Sequence, residues 1–403
     1  MAERLYYTDS FLREFDGRVV SCETADGRFR VRLDRTAFYP TSGGQPNDTG
    51  KLGEAAVVDV IDVEGKEIVH VTDREVAIGP VHGVIDWARR FDHMQQHTGQ
   101  HLLSATFIEL FKFPTVSFHL GRENSTIDLA APLAVQRQLE ESERRVNEII
   151  FEDRPIAVSF ATAKELAASG VRKAVEREGL LRVIEMEGFD RQPCGGTHLA
   201  RTGQAGLLLI RKCEKQKQNW RIDFVCGGRA LAAARGDFST LRKSAEVLSC
   251  GMPEVPAVVQ KFADERRAAQ RQIKQLHERV AEFEAKSLLA GTVPSCEGAA
   301  RVVTAVFDTA EPGYLGLLAT RMIAEPCVQA LLATRVGGVI VFAQSGGFDA
   351  DMGALLREAV SAAGGKGGGT KTFAEGSVAD LAQIDAVIKR TAERLRRKSS
   401  SRE

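Results

Sequence analysis

From Val19 to Asp86 apolar and polar residues alternate in short runs, such as Phe29-Arg30-Val31-Arg32-Leu33 and Ala56-Val57-Val58-Asp59-Val60, broken by turns rich in Gly and Asp. A period of two marks strands with one buried face, so this stretch predicts a small antiparallel barrel or sandwich. Beyond it the period changes. Leu102, Leu103, Phe107 and Leu110 recur at helical spacing, which predicts a helix from about Phe91 to Leu110, and a second helix covers about 133–151. Strand-like text surrounds both, at 115–120, 125–129, 156–160, 181–187, 206–213 and 220–225. Helices mixed with a largely antiparallel sheet make an α+β domain.

Past Gly227-Gly228 a helix is expected to reach Ser249, where Pro253 and Pro256 punctuate the chain. From Phe262 to Ser287 two seven-residue series interleave: Phe262, Ala269, Leu276, Phe283 and Arg266, Ile273, Val280, Ser287. That spacing fits a helical hairpin arm or short coiled coil, the plain alternative being a surface helix on its own domain. From about Val302 the text turns to a compact α/β unit, with strands at 301–307, 328–333 and 339–342 and a helix over 351–362. The unit carries the run Gly364-Gly365-Lys366-Gly367-Gly368-Gly369, and its closing helix is expected to fray at Ser399, Ser400 and Ser401. The expected divisions are 1–90, 91–249, 250–292 and 293–403.

Composition narrows the class. With 403 residues, 43% of them apolar, the chain can bury at least one sizeable core. The first nine residues lack a signal peptide's apolar run, and stretches such as Val336 to Ala343 are too short to span a bilayer, so a cytoplasmic home without membrane attachment is expected. Seven cysteines are too sparse for a disulfide framework, which directs attention to free thiols or a metal ligand. The 54 basic and 54 acidic side chains cancel, so an RNA partner would have to be held by local basic patches.

The candidate chemistry starts at His97-Thr98-Gly99-Gln100-His101, whose two imidazoles share one helix face and can close on a single cation. Taken alone, a His pair on a helix is more often two unremarkable polar residues. Cys194-Gly195-Gly196-Thr197-His198 supplies a second Cys and His pair on a turn between strands, so His97, His101, Cys194 and His198 form a candidate four-ligand site suited to zinc. His93 lies one turn further back on the same face and is not excluded by spacing. A closed set of four protein ligands is usually structural, whereas a hydrolytic zinc keeps a position open. No Gly-x-x-x-x-Gly-Lys-Ser/Thr occurs, and ATP use is not expected. The glycine run after 363 is either a helix terminus or a backbone that lets RNA come close through Lys366. Arg211, Lys212, Lys215, Lys217, Trp220 and Arg221 suit a nucleic-acid strand, with solvated hairpin charge as the alternative.

Three stretches together, His-Thr-Gly-Gln-His-Leu-Leu at 97–103, Pro-Cys-Gly-Gly-Thr-His at 193–198 and the glycine segment from Thr36 to Gln45, resemble the editing domain of alanyl-tRNA synthetases. They look most like its free-standing relatives, the AlaX-type trans-editing proteins in their long form. The resemblance covers nearly all of the first 230 residues and continues into a helical arm and a glycine-rich carboxyl-terminal domain. It implies an α+β layout with an amino-terminal β-barrel, a zinc-binding editing domain, a helical arm or coiled coil, and a carboxyl-terminal α/β domain. It implies a hydrolase that cleaves serine, and also glycine, from tRNA for alanine, with His97, His101, Cys194 and His198 as zinc ligands. Thr36 and Gln45 fall in the segment that lines the family's amino-acid pocket, and Thr36 is the candidate reader of the serine hydroxyl. Lys212, Lys215, Lys217, Arg221 and Lys366 are the candidate tRNA contacts, and a homodimer through the arm or the carboxyl-terminal domain is a further expectation. A non-catalytic tRNA-binding module is the alternative. Thr370-Lys371-Thr372-Phe373 departs from the Arg-Pro-Asp run of many relatives.

Overall fold

A computed structural model describes residues 2–132, 136–168, 179–292 and 300–400. The chain divides into two compact units, Met1–Val247 and Leu248–Glu403.

The first unit opens with β1 (Glu3–Arg4), β2 (Glu14–Ala25), β3 (Arg28–Leu33), β4 (Arg35–Thr36), β5 (Gly50–Leu52), β6 (Ala55–Val63), β7 (Glu67–Thr72) and β8 (Gly79–Ile85). Six of them pair antiparallel in the ring order β2-β3-β7-β6-β5-β8, with β8 returning to β2, while β1 pairs parallel with β4. The tight turns follow from the sequence: Asp26-Gly27 takes positive φ at both positions, the backbone the two-residue hairpin between β2 and β3 requires, and Glu64-Gly65 does the same within the three-residue connection of β6 to β7. Alternate side chains, among them Val19, Val31, Phe38, Val60 and Ile68, fill the interior.

Helix α1 (Trp87–Phe111) follows, capped by Asp86, whose carboxylate accepts from Arg89 N, and closed by Lys112 in the left-handed region. The expectation of an apolar stripe understates this helix, because every residue from Gln96 to Phe107 is buried. Its polar side chains find partners inside the protein: Gln96 bonds the backbone of Cys226 at both N and O, and Gln100 donates to Ser104. Around it lie β9 (Thr115–Leu120), β10 (Ser125–Leu129), α2 (Gln136–Phe151), β11 (Ile156–Thr162), α3 (Ala163–Ala168), β12 (Leu180–Met186), β13 (Asp190–Pro193), β14 (Leu208–Gln216), β15 (Asn219–Cys226) and α4 (Gly227–Leu248). They form antiparallel sheets ordered β14-β15-β10-β9 and β11-β12-β13. The core runs from Met94, Leu102 and Phe107 of α1 to Val146 and Ile149 of α2 and Phe224 of β15. The expected start of α2 at Leu133 lies outside the described residues.

In the second unit α5 (Val255–Ala290) is one continuous helix rather than a hairpin. Its buried contacts are Ala281, Ala285 and Leu289, packed with α6, while the heptad residues Phe262, Ile273, Leu276, Val280 and Phe283 stand exposed. Then come β16 (Arg301–Phe307), α6 (Pro312–Met322), β17 (Val328–Thr334), β18 (Val339–Gln344), α7 (Met352–Ser361), β19 (Lys366–Gly369), β20 (Phe373–Ser377) and α8 (Ile384–Ser400). The sheet order is β16-β17-β18-β20-β19, with β16 parallel to β17 and the other pairs antiparallel. All seven side chains of β17 are buried, because helices cover both faces of the sheet.

The glycine run begins as the expected helix terminus: Gly364 takes the left-handed conformation and Gly365 N bonds the Val360 carbonyl at 2.8 Å, closing α7. Residues Lys366–Gly369 are a strand, and a Cβ on Gly367 would come 2.8 Å from the Gly376 Cα on β20. The glycines let two backbones approach. Helix α8 continues through Ser400 instead of ending before Ser399. Among the described residues no helix is long and apolar enough to cross a membrane.

Candidate metal centre

Helix α1 projects His97 and His101 from one face, and the turn after β13 brings Cys194 and His198 to meet them. One donor atom from each of the four lies within 4.8 Å of the others, close enough to hold a metal ion. Cys194 Sγ is 3.5 Å from His97 Nε2 and 3.2 Å from His198 Nε2. His93 is not in this group. It is buried and neutral, its pKa lowered to about 4 by burial and then by Arg89.

Each imidazole is oriented from behind, the arrangement that fixes a metal ligand's tautomer. His97 Nδ1 donates to Gln45 Oε1 at 2.7 Å, leaving Nε2 to face the sulfur. Gln45 is itself held by Thr197, donating to its hydroxyl at 2.8 Å and accepting from its backbone N at 3.1 Å. His198 Nδ1 meets the Thr98 hydroxyl at 3.2 Å, and an Asp190 carboxylate oxygen lies 3.5 Å from His101 Nδ1. The turn admits no bulk. A Cβ on Gly196 would sit 2.2 Å from the His97 ring and 2.8 Å from Gln45 Oε1.

The electrostatics fit a cation. Burial alone would push the Cys194 thiol up, yet His97, His198 and hydrogen bonds from His101 and His198 bring it well below the usual thiol value. Burial also works against a charged His101, but Asp190 and Cys194 outweigh it and raise His101 to about 9. His198 is lowered to about 3 by burial and then by His97. Cys194 thus rests as a thiolate, His101 as an imidazolium and His198 as a neutral imidazole. A metal ion would displace the proton on His101.

Residues 181–223 match the family model described as the threonyl and alanyl tRNA synthetase second additional domain. An alanyl-tRNA editing protein, AlaX-L of Pyrococcus horikoshii, is 31% identical over 94% of this chain and 95% of its own. The chain belongs to the alanyl-tRNA editing protein family. A family member from Danio rerio is 34% identical over 63% of the chain and 66% of its own length. The alanine–tRNA ligase of Pyrococcus abyssi is 30% identical over 96% of the chain, which matches 43% of that longer protein.

In this editing-family chain the other expected site residues are dispersed. Gln45 stands directly behind His97, whereas Thr36 is fully buried with its hydroxyl 2.8 Å from His70 Nε2 and accepting from Phe38 N. His70 Nδ1 faces the Val31 carbonyl at 3.2 Å, and burial lowers the His70 pKa to about 4, so the ring is neutral with its proton on Nδ1. Nε2 therefore accepts the Thr36 proton, and the Thr36 oxygen is left as an acceptor. Of the expected tRNA contacts, Lys212 is paired with Glu214 and Arg221 makes a two-pronged bridge to Asp128, while Lys215, Lys217 and Lys366 are exposed.

Two buried arginines escaped the sequence reading. Arg182 donates to the carbonyls of Cys194 and Gly196 at 2.9 and 2.7 Å and to that of Tyr7 at 2.8 Å, fixing the ligand turn against the amino-terminal segment. Arg90 pairs with Asp48, both wholly buried, and Asp48 accepts from Tyr39 N at 2.6 Å, which ties the glycine segment to α1. An arginine in a strand or helix reads as surface, so no local signal marks either.

Proposed function

We propose that the protein hydrolyses the ester joining a wrong amino acid, chiefly serine and also glycine, to tRNA for alanine, acting in trans with one zinc ion held by His97, His101, Cys194 and His198. The observation that supports this most is the convergence of one sulfur and three imidazoles next to the Gly44-Gln45 turn. Three nitrogens and a thiolate suit zinc. When bound, zinc would polarise an ester oxygen or hold the ribose end in place. Gln45 orients His97, Arg182 fixes the Cys194 to His198 turn, and the buried surroundings limit stray water.

Discrimination belongs to a second polar contact. A pocket that activates alanine rejects serine weakly, whereas a site that bonds the extra hydroxyl leaves its own group unpaired with alanine. Thr36 is the proposed reader, and its orientation by His70 makes it an acceptor toward the serine hydroxyl. Lys215, Lys217 and Lys366 are proposed backbone contacts for the tRNA. The alternative, a zinc-stabilised tRNA-binding module without turnover, draws on the closed ligand set, which is the usual form of a structural site. Incubation with serine-charged and alanine-charged tRNA for alanine separates the two. Selective loss of the serine ester supports editing, and tight binding with both esters intact supports the module.

A further inference from the structure

An open cavity of about 820 Å³ lies beside the ligand turn, with Gly195 in its wall and Arg4, Tyr6, Tyr7, Tyr39 and Phe160 around it. Its aromatic rings are set among polar groups, Thr8, Thr41, Ser42, Asp62 and Glu64. Tyr6 stands edge-on to both Tyr7 and Tyr39, at ring separations of 5.1 and 5.3 Å. Phe160, on the edge strand β11, is 48% exposed, an apolar ring with a free face. The Tyr6 hydroxyl is buried and has no hydrogen-bond partner among the described residues. Burial raises its pKa, so it stays protonated and is a donor awaiting an acceptor. A buried polar atom in this state is destabilising until something bonds to it.

Charge in the cavity argues against a phosphate. Arg4 is committed to Asp62 through two hydrogen bonds of 2.9 and 3.2 Å, and Glu64 adds a further carboxylate to the wall. A flat, neutral heteroaromatic ring with acceptor nitrogens fits these features: Phe160 offers a face for stacking and Tyr6 offers a hydrogen bond, while the Tyr7 ring is taken up by the Arg4 and Arg182 guanidiniums. Arg182 connects this wall to the metal turn, since it holds the Tyr7 carbonyl and the carbonyls of Cys194 and Gly196 together.

We propose that this cavity takes the base of the terminal nucleotide, the nucleoside whose ribose carries the ester. The assignment rests on the editing reading above. Base and ester are joined to one ribose, so a base subsite must adjoin the centre where the ester is cut, and this cavity shares Gly195 with it. The subsite would hold the sugar by its base while the amino acid faces the metal, supplying orientation without any phosphate contact.

The test uses the full-length, zinc-loaded protein and two non-hydrolysable probes, seryl-3′-amino-3′-deoxyadenosine and its counterpart lacking the base, titrated by calorimetry. The adenosine probe is expected to bind about tenfold tighter than the base-free one, the contribution of one stacked base. Phe160→Ala and Tyr6→Phe should each shrink that ratio while leaving zinc content and base-free binding unchanged. Equal affinity for the two probes, or an unaltered ratio in both variants, overturns the subsite. Hydrolysis of serine-charged tRNA is measured separately in the wild type. Its absence would remove the editing reading, and the calorimetric ratio would still decide the cavity.

Discussion

At the scale of single residues the centre depends on protons as much as on ligands. Cys194 is already a thiolate and His198 already neutral, whereas His101, raised to about 9, holds a proton that a metal ion must displace. Its proton competes with the metal below that pH. Apparent zinc affinity is therefore expected to rise with pH toward about 9 and to fall about tenfold for each unit below it. Competition titrations against a chromophoric chelator across neutral pH would check this, and a flat profile would contradict the assignment of the proton to His101. Cys194→Ala should lower zinc content by elemental analysis, since it removes the one sulfur donor. Thr36→Val is expected to narrow the ratio of serine to alanine ester hydrolysis by about tenfold, the worth of one hydrogen bond. A preserved ratio would exclude Thr36 as the reader.

At the scale of elements, burial decides what a pattern means. Helix α1 carries His97 and His101 through the middle of the first unit, so its Gln and Thr side chains serve as internal bonding partners rather than a solvated face. Hydropathy spacing detects the apolar positions of such a helix and misassigns the polar ones. The buried Arg90 and Asp48 pair locks α1 to the glycine segment. Arg90→Met removes the guanidinium paired with the buried Asp48 carboxylate, which should cost about 3–5 kcal/mol in denaturant unfolding. In α5 the heptad spacing was legible, but the side chains that this unit packs against α6 are Ala281, Ala285 and Leu289. Leu289→Ala should cost about 2–5 kcal/mol, while Phe283→Ser, at 77% exposure, should stay within about 0.5 kcal/mol. Equal effects would show that the heptad residues are buried in solution by a second chain.

For the whole molecule, the proposed metal ligands and the cavity beside them all belong to the first unit, Met1–Val247, and Lys366 belongs to the second. A fragment ending at Val247 is therefore expected to keep one zinc per chain. If the second unit contributes tRNA contacts, the fragment should show a raised KM with kcat little changed. Loss of zinc from the fragment would mean that the first unit needs the second to fold.

What the sequence determined by itself is what local chemistry writes into it. Alternation marked the strands of the first 86 residues, helical spacing marked α1 and α7, and the two short motifs held every donor of the candidate metal centre, because ligand type and spacing within a turn or helix are local properties. The glycine run was legible where Gly364 and Gly365 close α7, whereas only pairing with β20 reveals why Gly367 must be bare. Tertiary structure alone decided that Gln45 orients His97, that Thr36 is oriented by His70, that Arg182 anchors the ligand turn, and that a cavity adjoins Gly195. Those contacts join residues as far as 175 positions apart. A hydrogen bond across such a distance imposes no period on the chain between its ends, so it leaves nothing for a sequence pattern to show.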